Sequence, residues 1–267
     1  MNRLEKALLE LGTMEALSAG DSGVHALHPL PKLLVTVAYI AITVSFHRYD
    51  LAGLSAMVLY PVIVFQMTGI PVSTCFHKLR LVLPLVMAVG LLNPFFDRTP
   101  MVAVGTLTVS GGVISMLTLM LKGVFCLMAS FLLIATTSND ALCAALRRLH
   151  VPSMIVTLLM LTYRYVGVMT EEVAVMSEAY ALRAPGQKGL HYTAWGSFLG
   201  QLLLRSMDRA EELYASMQLR GFRGAFFYAD VGPLRIRDGL WLVGWIVSFA
   251  LLRWVRVAQL LGSLVVR

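Results

Sequence analysis

Charge is almost absent from five stretches of this chain. Residues 33–46, 51–70, 81–96, 113–136 and 240–252 are runs of mostly apolar side chains, and Lys122 is the single formal charge within them. A helix needs about 20 residues to cross the hydrocarbon core of a bilayer. The runs at 51–70 and 113–136 reach that length unaided. Those at 33–46 and 81–96 are short and span only with snorkelling flanks or inside a bundle. The last run follows Arg235 and Arg237.

Composition supports lipid as the solvent. Of 267 residues, 58% are hydrophobic and 14% charged, and the mean hydropathy is +0.74. A water-soluble domain has too few charges here to cover that much apolar surface. The expected fold is an all-α integral membrane protein with about five transmembrane helices. The net charge of +7 could point to nucleic acid, but basic residues also collect on the cytoplasmic side of membrane proteins. We therefore expect a lipid bilayer and no nucleic acid as partner.

The basic connection carrying His77, Lys78 and Arg80 and the stretch from 138 to 240 would both face the cytoplasm. Eleven of the 22 Lys and Arg and nine of the 15 Asp and Glu fall in 138–240, which sets it apart from the spans. The expected organisation is a cytoplasmic N-terminal segment (1–32), transmembrane helices (33–136), a cytoplasmic region of long amphipathic helices (137–240) and a C-terminal transmembrane segment (241–267). Arg253, Arg256 and Arg267 run against the outward placement of that last segment. Residues 1–28 lack a basic-then-apolar opening, so no secretory signal is expected. Leu4, Leu8, Leu11 and Met14 could form a short surface helix. Residues 97–112, with Asp97, Pro100, Gly105, Gly111 and Gly112, read as an extended or hairpin-like loop.

Chemistry-bearing motifs are few. The chain has no P-loop, no H-E-x-x-H, no G-x-S-x-G and no paired C-x-x-C. His25-x-x-His28 could be half a metal site, though two histidines three apart are more often coincidence. Cys75, Cys126 and Cys143 read as reduced thiols. Glu171-Glu172 and Glu211-Glu212 could serve catalysis, but adjacent carboxylates on a helix point apart, so a solvated face is the simpler reading. Lys122 must be paired, snorkelled or reached by water. It could contact a substrate-binding partner or another span, or be neutralised internally.

Two long segments in 137–240 end alike. Residues 153–184 carry Arg164, Glu171, Glu172 and Glu178, and close on Leu182-Arg183-Ala184 before Pro185-Gly186. Residues 199–222 have apolar positions at spacings of three and four, including Met207 and Met217, with Arg205, Asp208 and Arg209 mostly opposite. That segment closes on Leu219-Arg220-Gly221. One arginine at a helix C-terminus only complements the macrodipole, by about 0.3–1 kcal/mol. Two, each before a breaker, suggest a docking role, for which the guanidinium fork is suited. Methionines on these helices could mark an adaptable surface or ordinary packing.

At these residues the chain resembles the transmembrane T component of energy-coupling-factor (ECF) transporters, the CbiQ/EcfT family. The likeness lies in Leu203-Leu204-Arg205-Ser206-Met207-Asp208-Arg209-Ala210-Glu211 with Met217-Gln218-Leu219-Arg220-Gly221-Phe222, and in Ala145–Pro152 with Leu161-Thr162-Tyr163-Arg164-Tyr165. That family carries two Ala-Arg-Gly-like signatures at the ends of cytoplasmic coupling helices. Here the arginines and the second glycine match the triplet. The resemblance implies a non-catalytic coupling subunit with no cofactor of its own, in the cytoplasmic membrane. Its implied partners are two P-loop ATPases, which bind ATP and Mg, and a small membrane substrate-binding (S) subunit for a metal ion (cobalt or nickel) or a vitamin. It implies ATPase docking by Arg183, Ala184, Arg220 and Gly221, and coupling helices bearing Arg164, Glu178, Arg205, Asp208, Arg209 and Met217. A stand-alone secondary transporter or channel, centred on Lys122, is the alternative.

Overall fold

The computed structural model describes residues 12–13, 15–80, 82–96, 100–104, 107–186, 189–224 and 232–254. Leu4, Leu8, Leu11, Met14, Asp97, Gly105, Arg256 and Arg267 lie outside the described residues. The chain divides into two compact units, Leu17–Ser138 with Gly232–Arg267, and Met1–Ala16 with Asn139–Val231.

The first unit holds α1 (Pro29–Ser45), α2 (Leu51–Ala56), α3 (Leu59–Thr68), α4 (Val72–Leu79), α5 (Leu83–Phe96), α6 (Gly111–Thr136) and α10 (Ile236–Trp254). Between α5 and α6, strands β1 (Pro100–Val104) and β2 (Leu107–Ser110) pair antiparallel, with Val104 opposite Leu107 and Ala103 opposite Thr108. The hairpin falls where the glycine-rich loop was expected. The remaining elements of this unit are helical.

The longest apolar run becomes the central helix. α6 packs against α1, α2, α3, α4 and α5, and it buries Phe125, Met128, Ala129, Phe131, Leu132 and Ala135. Its approach to α5 depends on glycine. A Cβ at Gly123 would sit 2.5 Å from Val86, and one at Gly90 would sit 3.0 Å from Met120. Small residues of this kind let helices in lipid approach closely and gain dispersion contacts, because burial from water supplies no driving force there.

The run expected to span at 51–70 is helical on both sides of a turn at Met57 and Val58. α2 stops at Ala56 and α3 begins at Leu59. The cause is Pro61, which has no N–H to donate to the carbonyl of Met57 four residues earlier. That carbonyl accepts instead from the Tyr39 hydroxyl of α1 at 2.9 Å. Tyr39 is fully buried and belongs to an aromatic cluster that joins α1, α3 and α10. Its ring lies 4.6 Å from Tyr60 and 5.4 Å from Phe249, and Tyr60 meets Trp245 edge-on at 4.8 Å.

Two lysines of this unit are engaged by the backbone. The Lys122 ammonium donates to the carbonyls of Val44 at 2.9 Å and of Phe46, where α1 ends. It thus satisfies carbonyls that the end of a helix leaves without intrahelical donors. Lys32 is buried near the other end of α1 and donates to the carbonyls of Thr136 (2.8 Å) and His25 (3.2 Å). Asp238, also buried, acts on it electrostatically and accepts from the backbone N–H groups of His28 (3.1 Å) and Arg235 (2.9 Å). The Arg235 contact is half of a capping box at the start of α10. His25 itself bonds Ser22 and the carbonyls of Leu17 and Ala135, and the His28 Nδ1 accepts from the Leu30 N–H at 3.2 Å as the cap of α1, so each ring of the H-x-x-H pair has a structural partner.

The second unit holds α7 (Asn139–Arg148), α8 (Ser153–Arg183), a short 3-10 turn (Tyr192–Ala194) and α9 (Trp195–Leu219). By length and composition α6 (26 residues) and α8 (31 residues) could cross a membrane, with window hydropathies of 2.2 and 1.3. α8 was expected as a cytoplasmic helix; its apolar content alone does not distinguish it from a span.

Candidate functional site

α8 and α9 run in opposite senses. The Ser153 hydroxyl at the start of α8 lies 3.5 Å from the Gly224 carbonyl just beyond α9. At the other end, the Tyr180 hydroxyl of α8 accepts from the N–H of His191, just before α9. Between these ends, the Arg205 guanidinium of α9 is ion-paired with the Glu172 carboxylate of α8. Glu171 stays exposed, so the acidic pair is divided between solvent and an interhelical contact. The simple solvated-face reading is thus corrected for Glu172.

The arginine tips close the two helices by different means. α9 ends in a Schellman motif, in which Gly221 N–H donates to Gln218 O (2.9 Å) and Phe222 N–H donates to Met217 O (3.0 Å). Gly221 has φ +79°, a left-handed conformation that a Cβ disfavours. Ala184 has φ −125° and its N–H donates to Tyr180 O at 3.1 Å; the helix stops there ahead of Pro185. No left-handed residue is required at 184. This explains why alanine stands at 184 where the second triplet has glycine.

Both tips are bare. Arg183 and Arg220 are exposed, and the leucine before each is the more so, Leu182 at 84% and Leu219 at 90%. A leucine and a guanidinium side by side offer an apolar contact and a planar set of donors to one surface. Sequence reading found the arginines but gave the leucines no role, since only the structure reveals that neither turns inward.

Other residues expected to matter are placed differently from one another. Arg164, Met217, Arg220 and Gly221 line a single groove of about 740 Å³ between the first half of α8 and the end of α9, together with Met160, Leu161, Tyr165, Leu213, Phe222 and Arg223. Arg205 and Arg209 lie in ion pairs, Arg205 with Glu172 and Arg209 with Glu212 at 3.6 Å. Glu178 and Asp208 are exposed, and Arg183 lies at the far end of α8 from the groove. Arg223 was missed at the sequence level, although it stands three residues after Arg220 on the far side of the glycine turn. Much of the apolar surface of both helices is exposed, including Leu199, Leu203, Leu204 and Met207 on α9. Among the described residues, no group of three or more His, Cys, Asp or Glu is placed to hold a metal ion.

A model of the family described as CbiQ, cobalt transport protein, matches residues 20–228. The nickel permease LarQ of Lactiplantibacillus plantarum is 31% identical over 45% of this chain and 42% of its own length. The cobalt transport protein CbiQ of Rhodobacter capsulatus is 34% identical over 38% of this chain and 42% of its own. The energy-coupling factor transporter transmembrane protein EcfT of Listeria innocua is 26% identical over 89% of this chain and 95% of its own. The chain thus spans less than half the length of the first two relatives and nearly all of the third.

Proposed function

We propose that this chain, which belongs to the CbiQ cobalt transport protein family, is the transmembrane coupling subunit of an ECF-type ABC importer in the cytoplasmic membrane. It is a transport component of a membrane system, and the proposed division of labour leaves ATP hydrolysis to partners. Two cytoplasmic P-loop ATPases take the Arg183 and Arg220 tips. A small membrane substrate-binding subunit takes the exposed apolar faces of α8 and α9. Movement of the ATPases, driven by ATP and Mg bound there, shifts the helix pair between two arrangements, and the substrate-binding subunit responds.

The observation that carries this reading is the pair of exposed Leu-Arg tips, Leu182-Arg183 and Leu219-Arg220, at the ends of two antiparallel helices. Relatives named for nickel and cobalt favour a divalent transition-metal ion as cargo, with a vitamin as the other class carried through such complexes. The stand-alone transporter reading rested on Lys122, whose ammonium is taken up by carbonyls at the end of α1.

The test is purification of the tagged chain from native membranes in mild detergent, with mass spectrometry of what accompanies it. P-loop ATPases and a small hydrophobic protein are expected. An Arg183→Glu, Arg220→Glu double variant should stay in the membrane and lose the ATPases. Full ATPase recovery and uptake with that variant would overturn the assignment.

A further inference from the structure

The chain passes between its two units three times, between residues 16 and 17, 138 and 139, and 231 and 232. On the first unit's side, all three passages lead into one buried polar cluster. The His25 ring nitrogen Nε2 lies 3.0 Å from the Leu17 carbonyl and 3.3 Å from that of Ala135. The Lys32 ammonium donates to the carbonyl of Thr136, close to the second passage, and to that of His25. Asp238, near the third passage, accepts from the N–H groups of His28 and Arg235 and acts on the Lys32 charge. Beside it, the Arg237 guanidinium lies 3.4 Å from the Gly23 carbonyl. The segment 17–28, the end of α6 and the start of α10 are thereby tied to one another and to the start of α1.

Stability alone is a poor account of this cluster. Lys32 and Asp238 are both buried, and desolvating two charges costs so much that well-packed apolar residues of similar volume often stabilise a fold as well or better. Removing one of the charges, however, leaves the other buried without its counterpart. The bonds around such a pair therefore hold or fail as a set. We propose that Lys32 and Asp238 are positioning residues that make the three passages a single joint, through which displacement of α8 and α9 reaches α1, α6 and α10 together. The transmission rests on the coupling role proposed above; the joint rests on the bonds of the cluster alone.

The test is hydrogen exchange, read by mass spectrometry, on the full chain with any co-purifying partners in lipid nanodiscs. Lys32→Met should raise exchange roughly tenfold in residues 17–28, 132–138 and 232–239 alike. Asp238→Asn, which keeps an acceptor oxygen and removes the charge, should raise the same three segments by less. Lys122→Met removes the lysine-to-carbonyl bonds at the other end of α1 and should leave all three unchanged. A rise confined to one segment, or an equal rise in Lys122→Met, would overturn the joint. With ATPases present, Mg and a non-hydrolysable ATP analogue should alter exchange in α8 and α9 and in the three segments of the wild type, but in Lys32→Met the change should stop at α8 and α9. A response that stops there in the wild type, or that still reaches the three segments in Lys32→Met, would overturn the transmission. A wild-type preparation without any ATPase would count against the coupling role instead, and the nucleotide-free comparison would still decide the joint.

Discussion

Arg205 of α9 is ion-paired with Glu172 of α8, and this contact joins the two helices that carry the exposed tips. Both side chains are partly open to solvent, at 46% and 31%, so the pair should be worth about 0.5–1 kcal/mol in a double-mutant cycle. Its effect on coupling should exceed its effect on stability. Arg205→Glu or Glu172→Arg alone should reduce uptake by vesicles holding the whole complex. The swapped double variant should recover most of it, and failure to recover would mean that orientation and not charge matters at this contact.

Gly221→Ala should destabilise the end of α9. An L-residue at φ +79° costs about 1–2 kcal/mol, and the Schellman bonds to Gln218 and Met217 weaken with it. Ala184→Gly, at φ −125°, should cost little. Thermal unfolding in detergent and ATPase co-purification would separate the two variants.

Gly123→Leu should separate α5 from α6. The added Cβ alone meets Val86 at 2.5 Å, and overpacking of this kind costs roughly 1–3 kcal/mol. Gly167→Ala on α8, where a Cβ meets nothing within 4 Å, is the control. Detergent-resistant folding, followed by fluorescence-detected gel filtration, reads the difference.

Tyr39→Phe removes the hydroxyl that meets the Met57 carbonyl. A buried acceptor left without its donor costs about 1–3 kcal/mol. The variant should melt earlier, and it should do so without any change in ATPase recovery.

Cys75, on α4, is a buried free thiol whose pKa burial pushes up to about 11. The thiolate is the reactive form, and a raised pKa keeps the group protonated until pH approaches that value. Alkylation of Cys75 at pH 8 should therefore be roughly tenfold or more slower in the folded protein than in denatured chain. The rate should climb with pH as long as the fold persists. Mass-spectrometric labelling time courses would measure both.

Much of this architecture is visible in the residues themselves. Pro185 and the Gly221 turn announce the ends of α8 and α9, because a breaker beside a helix end acts locally. Pro61 equally announces the break at Met57, since the missing N–H lies on a fixed carbonyl four residues back; the apolar length of 51–70 concealed it. Contacts between distant positions are a different matter. Asp238 and Lys32 share a buried cluster across 206 positions of chain (238 minus 32), and nothing local marks either as buried. Glu172 differs from Glu171 only in the face it presents, which has meaning once α9 is in place. The groove between α8 and α9 draws Arg164 and Arg223 from segments whose proximity depends on the antiparallel arrangement.

The Glu172–Arg205 contact divides the helix pair unequally. Eleven residues separate Glu172 from Arg183 and fifteen separate Arg205 from Arg220, which at helical rise is about 16 Å against about 22 Å. If that contact serves as the fulcrum, the two lever arms differ by a factor of about 1.4. The same angular displacement then carries Arg220 farther than Arg183. Under the coupling role proposed above, two ATPases moving in concert would meet strokes of different length, even if they were identical to one another.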